Sequence, residues 1–201
     1  MTAFISHCCK SAASLLRALR LWLALLVVVL GALAPLPAQA GSIEPTAASL
    51  SFDEDGVALA ADFSINLGSR LEDALLHGIA LVFKLEFVLE RPRKYWVSEH
   101  IMTQTRSYRL TYSSLTRQYR INYGSLQQNF ASIEDAIRSL GRVVALPIEE
   151  RNVLRPGTTY EAAVRLSLDR SQLPKPFQID ALTNGEWQVD ATTRNWKVTT
   201  P

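Results

Sequence analysis

Apolar positions along this chain recur mostly with a period of two. Leu50 and Phe52 alternate with polar neighbours, Asp53 to Gly56 supply turn residues, and Val57, Leu59, Ala61, Phe63 and Ile65 resume the alternation, which predicts a hairpin. "GSRLEDALLHGI" breaks that period and predicts a short helix with Ser69 as N-cap, acids in its first turn and Gly78 near its end. "ALVFKLEFVLE" returns to strand. Leu81, Phe83, Leu85, Phe87 and Leu89 fall on one face, and Val82, Lys84, Glu86, Val88 and Glu90 fall on the other, so one side faces a core and the other faces water.

The strictest alternation lies in "RSYRLTYSSLTRQYRINYG", Arg106 to Gly124. Tyr108, Leu110 and Tyr112 share one parity, and Tyr119, Ile121 and Tyr123 repeat it after a polar break, while Arg109, Thr111, Arg120 and Asn122 take the opposite face. Two registers keep the apolar residues on one face. A four-residue turn sets Leu110 against Tyr119 and Arg109 against Arg120. A six-residue loop sets Tyr112 against Tyr119, Leu110 against Ile121 and Tyr108 against Tyr123, with the arginines one diagonal apart. Like charges directly opposed on a sheet are unfavourable, so the outer arginines call for an acid, with Glu86 and Glu90 of suitable parity on a neighbouring strand.

Further along, "ASIEDAIRSLG" predicts a second helix, with Ser132 and Asp135 as a capping box and Ile133, Ile137 and Leu140 as its apolar stripe. "TYEAAVRLSLD" predicts a strand with Tyr160, Ala162, Val164, Leu166 and Leu168 inward. "RSQLPKPF" reads as an extended connection because Pro174 and Pro176 fix φ and remove donors. The tail supplies one or two strands carrying Trp187, Val189, Trp196 and Val198. Many strands against two short helices predict a mainly β fold, an antiparallel β-sandwich that is immunoglobulin-like in broad architecture. The alternative is an α+β fold with a duplicated hairpin–helix–strand unit. "LEDAL" and "IEDAI" stand sixty-two positions apart, and at the same offset Val57 and Leu59 meet Tyr119 and Ile121.

The first forty residues change the address. Lys10, Arg17 and Arg20 precede the apolar run Leu21 to Ala34, and Ala38 and Ala40 supply the small residues of a signal-peptidase site. The run is shorter than the roughly 20 apolar residues of a spanning helix and is broken by Gly31, Pro35 and Pro37. The expectation is a cleaved signal over residues 1–40, a single globular domain over 41–201, a periplasmic location and no later membrane span. The alternative is an uncleaved inner-membrane anchor. Cleavage removes three basic residues and no acid, turning the net charge of +2 into −1, so a globally basic nucleic-acid binder is not indicated. Cleavage also removes Cys8 and Cys9, leaving no thiol for a disulfide, a metal or a nucleophile.

Candidate chemistry is sparse. His77, four residues after Asp73, and His100, beside Glu99, are the histidines a hydrolase would have to use, and no G-x-S-x-G elbow or metal-binding histidine spacing accompanies them. No cofactor or metal motif is present. Between Arg91 and Arg120, seven cations face Glu99 alone. Arg91, Arg93, Lys94, Trp96, Arg109 and Arg120 are therefore the expected contact surface for a protein partner. Cations and tyrosines on opposite faces do not suit stacked nucleic acid. Trp187 and Trp196 are the candidate pair for an envelope lipid or glycan.

The segments "LEDALLHGIALVFKLEF", "RPRKYW", "YRLTYSSLTRQYRI", "LDRSQLPKPFQ" and "EWQVDATTRNWKV", in that order, resemble a family of exported proteobacterial proteins of unknown function, the DUF4390 type. The resemblance spans nearly all of the chain after the signal and carries no assigned activity, cofactor or catalytic residue. It implies a Gram-negative periplasmic location. It also hints at a partner, because members are often encoded near a membrane sensor kinase. The combined expectation is a non-enzymatic accessory module that binds a cell-envelope protein, with a lipid- or glycan-binding module and a hydrolase as alternatives.

Overall fold

The protein is described by a computed structural model covering residues 41–53, 56–93, 97–148, 154–183, 187 and 189–201. Residues 1–40, where the signal is expected, and Lys94 and Trp96 lie outside the described residues. The strands are β1 (Gly41–Asp53), β2 (Gly56–Asn66), β3 (Leu81–Arg91), β4 (Glu99–Ser113), β5 (Gln118–Tyr123), β6 (Leu126–Phe130), β7 (Arg142–Ile148), β8 (Thr159–Leu168), β9 (Val189–Ala191) and β10 (Arg194–Thr199). The helices are α1 (Ser69–Leu76), α2 (Ile133–Gly141) and α3 (Lys175–Thr183).

Period-two burial builds two sheets. The smaller has the order β7-β2-β1-β9 and the larger β10-β8-β3-β4-β5-β6. Every pairing is antiparallel except that of β1 with β9. β8 of the large sheet touches β1 and β9 of the small one, so the two layers face each other. Ile43, Leu59 and Val143 from one layer and Phe83, Leu85, Phe87, Leu110, Ile121 and Leu166 from the other fill the space between them. Each such side chain contributes roughly 1.5–3 kcal/mol on leaving water. The molecule is mainly β, with sandwich-like packing and neither sheet closed into a barrel.

The helices connect the layers. α1 leads from β2 in the small sheet to β3 in the large one, and α2 leads from β6 in the large sheet to β7 in the small one. The order hairpin–helix–strand thus occurs twice, crossing in opposite directions. The sixty-two-residue offset, however, lays the one strand β2 across all of β5 and only the start of β6, the strand that leads into α2. α2 rests on β2, β5, β6 and β7 and buries Ala136 and Leu140. Among the described residues no helix is long and apolar enough to cross a membrane.

Local expectations met different outcomes. Ser132 caps α2, accepting from Asp135 N at 3.2 Å. Ser69 does not cap α1: Gly68 occupies that position, and Asn66 Oδ1 takes the Gly68 N–H at 3.0 Å. Gly78 has φ +85°, and its N–H and that of Ile79 return to Leu75 O and Ala74 O, the left-handed ending that glycine allows. The expected extended chain from Arg170 to Phe177 is instead a short 3-10 turn (Arg170–Gln172) followed by α3. A proline in the first helical turn loses no bond, since those N–H groups have no intrahelical acceptor. Pro174 accordingly offers its carbonyl to Phe177 N and Gln178 N.

Candidate functional site

The β4–β5 hairpin adopts the longer-loop register. Tyr112 faces Tyr119, Leu110 faces Ile121, and pairing extends to Ser113–Gln118. Tyr108 and Tyr123 stack with ring centroids 5.7 Å apart, and Tyr112 and Tyr119 at 4.8 Å. Burial pushes the Tyr108 phenol above its ordinary pKa, with Arg106 pulling the other way. Burial also raises that of Tyr119, helped by Tyr112, Glu134 and Glu72. Leu110 and Ile121 are buried beneath these rings, so the tyrosine face is the core face.

Arg109 lies opposite Val82 and Asn122, while Arg120 lies opposite Thr111 and Asn129. The two arginines are diagonal neighbours on the outer face. Neither Glu86 nor Glu90 reaches them. Glu86 lies beside Thr105 and Arg165 and binds Lys84 at 2.6 Å, and Glu90 lies beside His100 and Glu161. An acid that parity could not find shares a hollow with Arg109. Asp169, after β8, borders a hollow of about 330 Å³ together with Arg109, Asn122 and Gln172. Its carboxylate already accepts from Ser171 N and Oγ at 3.1 and 2.6 Å. Arg109 and Arg120 make no ion pair among the described residues, and Arg120 Nε and Asn122 Oδ1 are buried without hydrogen-bond partners.

The outer face of the large sheet is therefore divided. On β3, β8 and β10, Lys84 meets Glu86, and Lys197 meets Glu161 at 3.8 Å. On β4, β5 and β6 it carries Thr103, Thr105, Ser107, Arg109, Thr111, Gln118, Arg120, Asn122, Gln127 and Asn129, with no acid on those strands beyond Glu99 at the start of β4. Leu115, at the tip of the hairpin beside Arg117, is 93% exposed.

Of the remaining expected contact residues, Arg91 and Arg93 are described, and they do not join this surface. Arg91 and Arg93 both bind Glu99 at the far end of β3, Arg93 at 2.7 Å. The Arg93 and Arg91 guanidiniums together hold the Glu99 carboxyl below its ordinary pKa. Trp187 is 1% exposed, enclosed by Phe177 at 5.4 Å and by the Arg70 guanidinium over its ring at 5.4 Å. Trp196 packs on Phe87. The two indoles thus stack on different partners, and the enclosed Trp187 ring offers no open face. His77 Nδ1 lies 2.7 Å from the backbone oxygen of Asp73, not from its carboxylate, and His100 Nε2 lies 3.1 Å from Thr103 Oγ1. No group of three or more His, Cys, Asp or Glu among the described residues could hold a metal ion.

One feature of the hairpin escapes the separation of arginines from tyrosines. Arg106 has the parity of Tyr108, and it faces inward. The large sheet extends past the edge strand β7, leaving a cleft of about 820 Å³ bounded by β4, β5 and β6 on one side and α2 and β7 on the other. Arg106, Tyr108, Tyr123 and Phe130 line one wall, with Arg138 and Arg142 on the other. Arg138 is held by Asp135 at 2.8 Å and Arg142 by Asp62 at 3.5 Å. Strand β6 was legible in "NYGSLQQN", because Gly124–Ser125 is a two-residue turn of the hairpin type. β7 follows α2 without a break and gives no such warning.

In comparisons with known proteins, residues 40–197 match the model of a domain of unknown function, DUF4390. No curated protein and no solved structure matches the chain. With the match covering more than half of its length, the chain belongs to the DUF4390 family.

Proposed function

We propose that this chain is an exported, non-enzymatic module of the cell envelope that binds a protein partner through the outer face of β4, β5 and β6. The observation that supports the reading is the divided sheet. One half of a single exposed face carries acids and the ion pairs Lys84–Glu86 and Lys197–Glu161, while the other half holds Arg109 and Arg120 among amides and hydroxyls, its one acid being Glu99 at the start of β4. Arginine forks on a polar surface suit a carboxylate-bearing partner, because each offers parallel donors to a planar anion. Exposed Leu115 supplies an apolar anchor at the rim. The partner is an acidic segment of another envelope protein, the extracytoplasmic part of a membrane sensor kinase being the first to test.

The measurement is crosslinking of the tagged protein in its native envelope, followed by mass spectrometry. Crosslinks should map to β4 and β5 and disappear in the Arg109→Glu, Arg120→Glu double variant at unchanged protein level. Undiminished capture of every partner by that variant would overturn the assignment of this face.

A further inference from the structure

We propose that the cleft between β4–β6, α2 and β7 binds a single-chain amphipathic anion, an acyl or alkyl chain ending in a carboxylate or phosphate. The site is separate from the partner face, which lies on the other side of the same sheet. Its volume of about 820 Å³ is within the range that encloses a small ligand. Ile121, Leu140, Val143 and Leu146, each buried, form an apolar floor.

The polar groups favour an anion. Arg106 is half-buried and makes no ion pair among the described residues, and Asp135 is the sole acid in the lining against Arg106, Arg138 and Arg142. Asp135 is already committed to Arg138 and to Ser132. The Tyr108 and Tyr123 hydroxyls have no hydrogen-bond partner among the described residues, which leaves two donors beside Arg106. A guanidinium in a partly desolvated wall binds an oxyanion more strongly than one in open water.

The edge of β7 argues against a peptide strand as occupant. Pro147 has no N–H, its carbonyl accepts from Gln104 Nε2 at 3.2 Å, and Ala145 at φ 45° breaks the ladder beside it. An added strand would find few main-chain partners there. A chain that needs only an apolar floor and an anion-binding wall fits what is present.

The test is calorimetric titration of the protein, purified as its host processes it, with dodecanoate, dodecyl phosphate and dodecyl maltoside, each below its micelle threshold. At least one anion should bind one-to-one, and which of the two binds identifies the headgroup; the neutral maltoside should not bind. Arg106→Gln should weaken the anion about tenfold or more, Arg106→Lys should recover part of that loss, and Arg109→Gln on the outer face should change nothing. If Arg106→Gln lowers the melting temperature, Arg138→Gln on the exposed surface of α2 carries the same comparison. Equal binding of the maltoside, unaltered affinity in the arginine variants, or no binding of either anion tighter than about 1 mM would each overturn the proposal.

Discussion

Gly141 ends α2 where the chain turns into β7, and a Cβ there would stand 2.5 Å from the Phe63 carbonyl oxygen. That oxygen belongs to the backbone of β2, between buried Ala61 and half-buried Ile65, so it has little room to give. Gly141→Ala should therefore destabilise the fold by about 1–3 kcal/mol, measured as a lower urea midpoint with an unchanged slope. Much at this scale was legible. Parity alone placed Leu110 and Ile121 in the core and Arg109 and Arg120 outside, because a strand turns alternate side chains to opposite faces. The same rule, extended two residues back from Tyr108, puts Arg106 with the tyrosines. What parity could not give was the companions of Arg106, since Arg138 and Arg142 come to the cleft on a helix and a strand of the other layer. Nor could it give Asp169, which reaches the neighbourhood of Arg109 from the end of β8.

At the level of elements, two helix starts with the same local sequence logic behave differently. Ser132, in extended conformation, exchanges hydrogen bonds with Asp135, whereas Ser69 follows Gly68 and caps nothing. Ser132→Ala should cost about 1 kcal/mol, while Ser69→Ala should stay within about 0.5 kcal/mol, by thermal or chemical unfolding. Glu99 closes the end of the β3–β4 pair by binding Arg91 and Arg93. Its carboxyl titrates lower in the folded chain than in the unfolded one, so the unfolded state takes up the proton first as pH falls. The clamp's contribution is complete above the unfolded pKa and is lost as pH drops through the folded one. The stability gap between the protein and Glu99→Gln, measured by denaturant titration, should be constant from pH 7 down to about pH 5 and narrow below that. A gap that widened on acidification would contradict the clamp. α3 is hidden in the sequence because Pro174 and Pro176 read as breakers, although at a helix start they interrupt no bond.

Over the whole molecule, one six-stranded sheet presents two different chemistries on its two faces. Its outer half-face at β4–β6 is cationic and hydroxyl-rich, and the inner side of the same strands opens into the cleft where the smaller layer stops at β7. Variants on the two faces are expected to act on different partners, so the Arg109, Arg120 pair and Arg106 offer separate handles on one hairpin. The sequence by itself determined the mainly β character, the core parity of β2, β3, β8 and the β4–β5 hairpin, and the cluster of cations around the hairpin, because these follow from nearest-neighbour geometry and composition. Only the tertiary structure decided which strands lie side by side, that the larger sheet outreaches the smaller, and which acids meet which arginines. Those depend on contacts between residues far apart in the chain, and alternation carries no information about where a strand's neighbours come from.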